Sequence, residues 1–463
     1  MRSRKVPASL ISKGEFGKKL TALVLPITFQ QFMLSVVSAS DALMCGGISQ
    51  DLLSAVSLAS QVTFVYNLFL AAMTIGTSIF AAQYWGKGDT SAIEKILAIV
   101  LNTSMAVSFV FFAASAVFPG LLMRIFTPDF LLIGYGTDYL RIVSVTYLMC
   151  GFSQIYLCIM KNSNLAGRSM AISSTAAVLN IILNAVLIYG LFGAPSMGAA
   201  GAAAATAISR AVELLWVIVE MQKAGRIKAR LRYMRRTDRR LFRDFWHYTL
   251  PVLGNELVWG GGFTMYSVIM GHLGTDAVAA NSIANIVKNI IASLSLGIGN
   301  GGSIMVGNEL GAGNLPKAKA MGSRLCHIAI ISGIASGAFL LVIRPFVMML
   351  TELSPQARTY LWWMLFMCAF YMVGKYINGT TIAGIFCAGG DSRFGFLCDT
   401  VTLWCFTVPV GLLAAFVFKW PVLAVYFIVN LDEIVKLPAV YRHYKKYIWL
   451  KDLTVNPPEK HQA

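Results

Sequence analysis

Residues 25–88 of this chain recur at 250–313, inside apolar stretches long enough to cross a membrane. An offset of 225 residues takes Pro26 (in LPITFQQF) onto Pro251 (in LPVLGNEL) and holds without a gap for more than sixty residues. It pairs Leu25 with Leu250, Gly46 with Gly271, Asp51 with Asp276 and Ala55 with Ala280. It also pairs Gly76, Gly86 and Gly88 with Gly301, Gly311 and Gly313. Biased composition raises the identity between any two membrane segments, but it does not put a proline, an aspartate and several glycines in one register. Such a chain folds as two copies of one helical unit. A duplicated membrane domain is the pattern of secondary transporters, in which two bundles rock about a shared central site.

Of the 463 residues, 57% are hydrophobic and 13% charged, with a mean hydropathy of +0.67. A soluble fold cannot hide that much apolar surface. Stretches that match ~30 Å of hydrocarbon fall at 20–45, 53–82, 97–118, 131–160, 169–190, 198–221, 245–270, 278–307, 323–350, 357–387, 394–417 and 422–443. The expected fold is an all-α membrane protein of twelve transmembrane helices in two six-helix bundles. Six spans per half is an even number, so the second half enters from the same side as the first and the repeats are parallel.

Charge divides the chain further. Ten Lys or Arg crowd 223–243 (KAGRIKARLRYMRRTDRRLFR), and both tails are basic. The loops of opposite parity, Gly46–Leu52 and Gly190–Gly198, have none. The positive-inside rule then puts both termini and the linker in the cytoplasm. The expected organisation is a tail at 1–18, a first lobe at 19–222, a basic linker at 223–243, a second lobe at 244–446 and a tail at 447–463. The formal charge of +17 is thereby explained as topogenic, with anionic lipid heads as neighbours and no nucleic-acid partner. The first eighteen residues are polar, so no cleavable signal peptide is expected.

Several chemistries lack their residues. There is no Walker A sequence, so no ATP is expected, and no HExxH or GxSxG. The five histidines do not cluster at ligand spacing, and the eight cysteines sit without CxxC spacing, as small core residues would. GIGNGG at 297–302 lies inside an apolar span rather than between a strand and a helix, which reads as helix packing. The chain is expected to be no enzyme, with no cofactor and no structural metal.

Charges within membrane spans are costly and are functional candidates by default. Arg210 with Glu213, and Glu433 with Lys436, lie three apart and can neutralise each other on one helix. Glu220 lies near a span end, within reach of water. Asp41, Glu256 and Asp399 have no opposite charge at helical spacing, which points to binding a proton or a cation. For Asp41 the alternative is a carboxylate held by nearby Ser38 and Ser40. Gln30, Gln31, Asn180, Asn184 and Asn255 add polar atoms, and Asn180 and Asn184 are four apart on one face. Trp259, Tyr266, Tyr371 and Tyr376 are candidates to line a cavity for aromatic cations, or are core. Lys288 and Lys375 are basic residues in the same spans.

The run from Leu25 to Gly88 resembles the opening of the multidrug and toxic compound extrusion (MATE) transporters. The similarity rests on LPITFQQF, DALMCG at 41–46, SAVSLAS and AAQYWGKGD. LAGRS at 165–169 and AGGDS at 388–392 resemble the loops after the fourth and tenth spans, and MGAAGAAAATAISR the sixth span. PVLGNELVW, MVGNELGAGN and DEIVK resemble a Gram-positive bacterial subgroup. The resemblance implies two bundles forming a V with a central cavity, and export of cationic or amphipathic compounds in exchange for H+ or Na+. It implies that Asp41 is the acid of a first-lobe cation site and Asn180 an amide of it. Asn184 departs from the family, because many relatives have a second aspartate there. The second-lobe acid of relatives falls at Trp259, with Glu256 one turn earlier. Na+ is therefore expected at Asp41 or Glu256 if the ion is Na+. Together these readings imply a small-molecule antiporter in the bacterial cytoplasmic membrane, functional as a monomer. The alternative is a flippase for a lipid-linked precursor, which needs basic groups such as Lys288 and Lys375 in its cavity.

Overall fold

A computed structural model describes residues 13–46, 50–193, 195–351 and 353–455. Outside these lie most of the N-terminal tail, the middle of the Gly46–Leu52 loop and the end of the C-terminal tail. Every described element is helical, and none of the described residues forms a strand. In hydrocarbon each backbone N–H and C=O must be satisfied within its own segment, so apolar stretches of this length become helices.

The first half forms α1 Lys13–Gly46, α2 Gln50–Lys87, α3 Thr90–Val117, the short α4 Pro119–Phe126, α5 Phe130–Asn162, α6 Ala166–Tyr189 and α7 Gly198–Gln222. The linker contributes α8 Leu231–Arg235. The second half forms α9 Arg239–Gly271, α10 Thr275–Gly311, α11 Leu315–Leu350, α12 Pro355–Asn378, α13 Ser392–Asp399, α14 Val408–Leu412, α15 Val422–Val429, α16 Asp432–Val435 and α17 Leu437–Tyr444. Each of the twelve expected spans coincides with helix. Among the described residues, ten are long and apolar enough to cross a membrane by length and composition alone. The exceptions are α9, which carries a basic start and the polar pair Asn255 and Glu256, and the broken twelfth span.

The duplication recurs in hydrogen bonding. At the end of α2 the Gly88 amide donates to Trp85 O (3.0 Å) and the Asp89 amide to Tyr84 O (3.0 Å). At the end of α10 the Gly313 amide donates to Leu310 O (3.0 Å) and the Asn314 amide to Glu309 O (2.9 Å). Both glycines stand at positive φ, 82° and 75°, where a side chain is strained and glycine is not. One sequence element, copied, ends two helices by one mechanism.

The chain resolves into two compact units. One comprises the chain up to Thr28, Ser78–Asp89 and everything from His247; the other is Phe29–Thr77 with Thr90–Trp246. Within the former, the copied glycines Gly86 and Gly311 touch the opposing backbone. A Cβ on Gly86 would lie 1.9 Å from Asn308 O, and one on Gly311 1.8 Å from Gln83 O. Neither carbonyl can yield without moving its helix. Gly86→Ala and Gly311→Ala should each lower stability in detergent by about 1–3 kcal/mol. Their combination should cost less than the sum, because one displacement relieves both contacts. Thermal unfolding followed by tryptophan fluorescence checks this.

Two expectations are corrected. The twelfth span is not one helix from 422 to 443: it breaks at Asn430 and again at Lys436, just before Pro438, which has no N–H to continue the ladder. Glu220 does not reach water. It is buried, with 2% of its surface exposed, and receives Arg168 at 2.6 Å, Arg226 at 2.8 Å and Lys223. Three cations converging on one carboxylate offset its desolvation and tie the LAGRS loop to the start of the linker. The tenth and eleventh spans also widen into π-helical turns at Gly379–Phe386 and Thr400–Thr407, a distortion frequent at functional sites.

Candidate functional site

The unit that holds α3 to α7 encloses a cavity of about 580 Å³. Asp41, Asn180, Thr206, Arg210, Gln154 and Gln31 contribute its polar lining, and Tyr66, Tyr147 and Phe64 much of its apolar wall. Hydroxyls fix that wall: Tyr66 donates to Tyr147 O (2.8 Å), and Thr63 and Tyr147 share a bond of 3.0 Å.

Asp41 lies at one end of a polar chain. Asn184 Nδ2 donates to Asp41 Oδ1 and, at 3.2 Å, to Asn180 Oδ1. Asn180 Nδ2 donates to Thr206 Oγ1 (3.3 Å), which donates to Ala202 O (3.0 Å). The four-residue spacing of Asn180 and Asn184 puts both amides on one face of α6, opposite Asp41 of α1. Asn184 is fully buried and its Oδ1 has no hydrogen-bond partner. An unpaired buried acceptor beside a carboxylate is costly, and a proton or cation arriving there removes the cost. Ser38 does not hold Asp41; its hydroxyl donates to Leu34 O at 3.2 Å. Gln30 is buried and donates to Ser173 Oγ (2.8 Å), which fixes α1 against α6 just past Pro26.

Arg210 is the basic group on the cavity wall. Its guanidinium reaches Glu213 at 2.9 Å, and Glu213 also accepts from Ser153 (2.7 Å) and Gln154 (2.8 Å). The expected Arg210–Glu213 pair is therefore present, with the Glu213 carboxylate accepting from three donors. Thr206 was not singled out by sequence. The available signal is that it is the one hydroxyl in the alanine run of 199–207.

In the other unit the acids divide. Asp399 is not unpaired as expected: Lys436, 37 residues away, lies 3.0 Å from it. Lys436 also reaches Glu433 at 3.4 Å and Asp432 at 3.6 Å, and Asn378 Nδ2 donates to Glu433 Oε2 (2.9 Å). One ammonium, 5% exposed, thus neutralises carboxylates from the eleventh and twelfth spans. Glu256 stands apart from that cluster, with no hydrogen bond or ion pair among the described residues. The repeat offset maps Glu256 onto Gln31 and Asn255 onto Gln30. Asn255 Oδ1 is buried without a partner.

Of the aromatic candidates, Tyr371 and Tyr376 are buried, and Trp259 leaves 38% of its surface exposed. Tyr376 donates to Ile291 O (2.8 Å) and accepts from Ser336 (2.7 Å), and Tyr371 donates to Phe427 O (2.9 Å). Trp259 stacks on Phe263 with centroids 5.8 Å apart, and Tyr266 packs on the core around Ile269 and Val425.

The MatE family model matches residues 26–186 and 251–413, two blocks whose starts differ by the repeat offset. Among curated relatives, the uncharacterized transporter YisQ of Bacillus subtilis is 21% identical over 438 residues, 93% of this chain and 95% of that protein. Multidrug resistance protein NorM of Photobacterium profundum is 24% identical over 406 residues, 85% of this chain and 86% of that protein. Among solved structures, a MOP superfamily transporter from Pyrococcus furiosus superposes with a TM-score of 0.84 at 18% identity, over 94% of this chain and 96% of that one. An outward-facing multidrug resistance MATE family transporter gives a TM-score of 0.81 at 19% identity, over 93% and 96%.

Proposed function

We infer the function from one premise: this chain belongs to the MatE family, and is accordingly a multi-pass membrane transporter rather than an enzyme. It is a secondary antiporter that exports small organic compounds, cationic or amphipathic, by alternating access in exchange for H+ or Na+. The observation that carries the reading is Asp41, a carboxylate on the wall of a 580 Å³ cavity that accepts the side-chain N–H of Asn184. A single carboxylate cannot hold a proton and an organic cation together, so each expels the other, and that exclusion is the coupling. Inward movement of one charge gains ~2.3 kcal/mol per 100 mV. Relatives named multidrug resistance proteins support the substrate class. The flippase alternative loses ground because Arg210, the cation on the cavity wall, is already neutralised by Glu213 at 2.9 Å.

Asp41 with Asn180 and Asn184 is the proposed coupling site of the first lobe (19–222), and Glu256 of the second (244–446). Dye efflux from a pump-deficient host, with pH and Na+ varied independently, tests the assignment. Efflux that ignores both gradients would remove the antiport reading.

The same reading puts the protein in the bacterial cytoplasmic membrane, a working monomer with both termini and the 223–243 linker cytoplasmic. Cysteines at Ser196 and Arg232, in a background free of reactive thiols, should label oppositely. An impermeant maleimide applied to intact cells should reach position 196 and miss 232. Labelling at 232 from outside overturns the orientation.

A further inference from the structure

The linker forms a second cavity, of about 720 Å³, lined by Lys95, Leu231, Arg232, Tyr233, Arg235, Arg236 and Asp238. It is built rather than draped. Asn102 of α3 donates to Met234 O (2.8 Å), Ser91 and Tyr233 share a hydroxyl bond of 3.3 Å, and Arg230 pairs with Glu94 at 2.5 Å. These contacts pin α8 across the end of α3.

The charges in this cradle do not balance. Its one acid, Asp238, is already engaged: Oδ1 accepts the Arg240 and Leu241 amides at 3.2 and 3.3 Å, capping α9, and Lys95 lies 3.4 Å from Oδ2. The Leu241 amide, with Lys95 behind it, holds Asp238 below the usual carboxylate range, so it stays committed to these partners. Arg232 stacks on Tyr233, its guanidinium 4.5 Å from the ring centroid and donating to the hydroxyl at 2.5 Å. Arg235 and Arg236 are exposed and have no carboxylate partner among the described residues. Three guanidinia thus face one cavity with no counter-charge. Beside them Leu231 leaves 70% of its surface open, an apolar side chain on the rim of a cationic cavity.

We propose that Arg232, Arg235 and Arg236 form a binding site for the phosphodiester of an anionic phospholipid, with Leu231 against its acyl chains. Guanidinium forks match phosphate oxygens two at a time. A soluble anion would satisfy the arginines and leave Leu231 in water. A lipid satisfies both, which decides the occupant.

The test uses the full-length protein in nanodiscs of mixed phosphatidylglycerol and phosphatidylcholine, with lipids retained after release counted by native mass spectrometry. Wild type should retain phosphatidylglycerol preferentially. Arg232→Gln/Arg235→Gln/Arg236→Gln should retain it on the order of tenfold less or lower, since it removes the charge-assisted bonds to the phosphate oxygens. Arg239→Gln/Arg240→Gln/Arg243→Gln removes the same charge from residues off the cavity and should retain it as wild type does. Equal loss in both triple variants reduces the effect to diffuse charge and overturns the site. Absence of preference in wild type does the same, as does displacement by inorganic phosphate at concentrations equal to the lipid's.

Discussion

Asp41→Asn should reach the membrane folded and yet drive no efflux. The replacement is isosteric, and its remaining carbonyl oxygen can still accept the Asn184 N–H. One neutral hydrogen bond replaces a charge-assisted one, so the stability change should stay near ~1 kcal/mol. What is lost is the group that can exist in two charge states on the cavity wall. Purified Asp41→Asn in liposomes with an imposed pH or Na+ gradient should extrude dye no faster than liposomes without protein, while thermal unfolding stays close to wild type. Asn184→Asp supplies the companion measurement. Two carboxylates at hydrogen-bond distance share a proton, so the pH at which efflux is half-maximal should move, whereas Thr206→Val, at the far end of the polar chain, should leave it in place. Wild-type efflux by reconstituted Asp41→Asn ends the assignment, and an unmoved midpoint in Asn184→Asp detaches α6 from it.

The parts of this molecule that were legible in sequence depend on distance along one chain. Span length follows from bilayer thickness, and the repeat from register. The shared face of Asn180 and Asn184 follows from 3.6 residues per turn, and so do the Arg210–Glu213 and Glu433–Lys436 pairs. The parts that were not legible depend on which helix faces lie opposite each other. Asp399 looked unpaired because its partner Lys436 lies on another span, and no spacing rule reaches across 37 residues. Glu220 looked solvated because its cations come from elsewhere, Arg168 from the start of α6 and Lys223 and Arg226 from the linker. Tyr371 and Tyr376 stayed open between cavity and core because residue type does not reveal that a carbonyl sits at hydrogen-bond distance. The break at Asn430 escaped because no glycine or proline marks that position.

Lys436 should prove to be the most sensitive position for folding. It is a buried ammonium with three carboxylates within 3.6 Å, from Asp399, Asp432 and Glu433, and its own segment is broken into short helices. Removing one partner of a buried ion cluster leaves the others without compensation, at a cost of about 3–5 kcal/mol. Lys436→Met keeps the length and apolar stem of the side chain, so lost packing adds little, and the expected drop in unfolding temperature reports the charge. The cluster then makes a second demand. Asp399→Asn added to Lys436→Met removes one of the stranded carboxylates and should recover stability on the order of 1 kcal/mol or more. The same Asp399→Asn in wild type should cost stability, because there the ammonium loses its nearest anion. That reversal of sign separates an electrostatic hub from a packing residue. If Lys436→Met unfolds with wild type, or Asp399→Asn destabilises both backgrounds alike, the cluster is not what holds the eleventh and twelfth spans together.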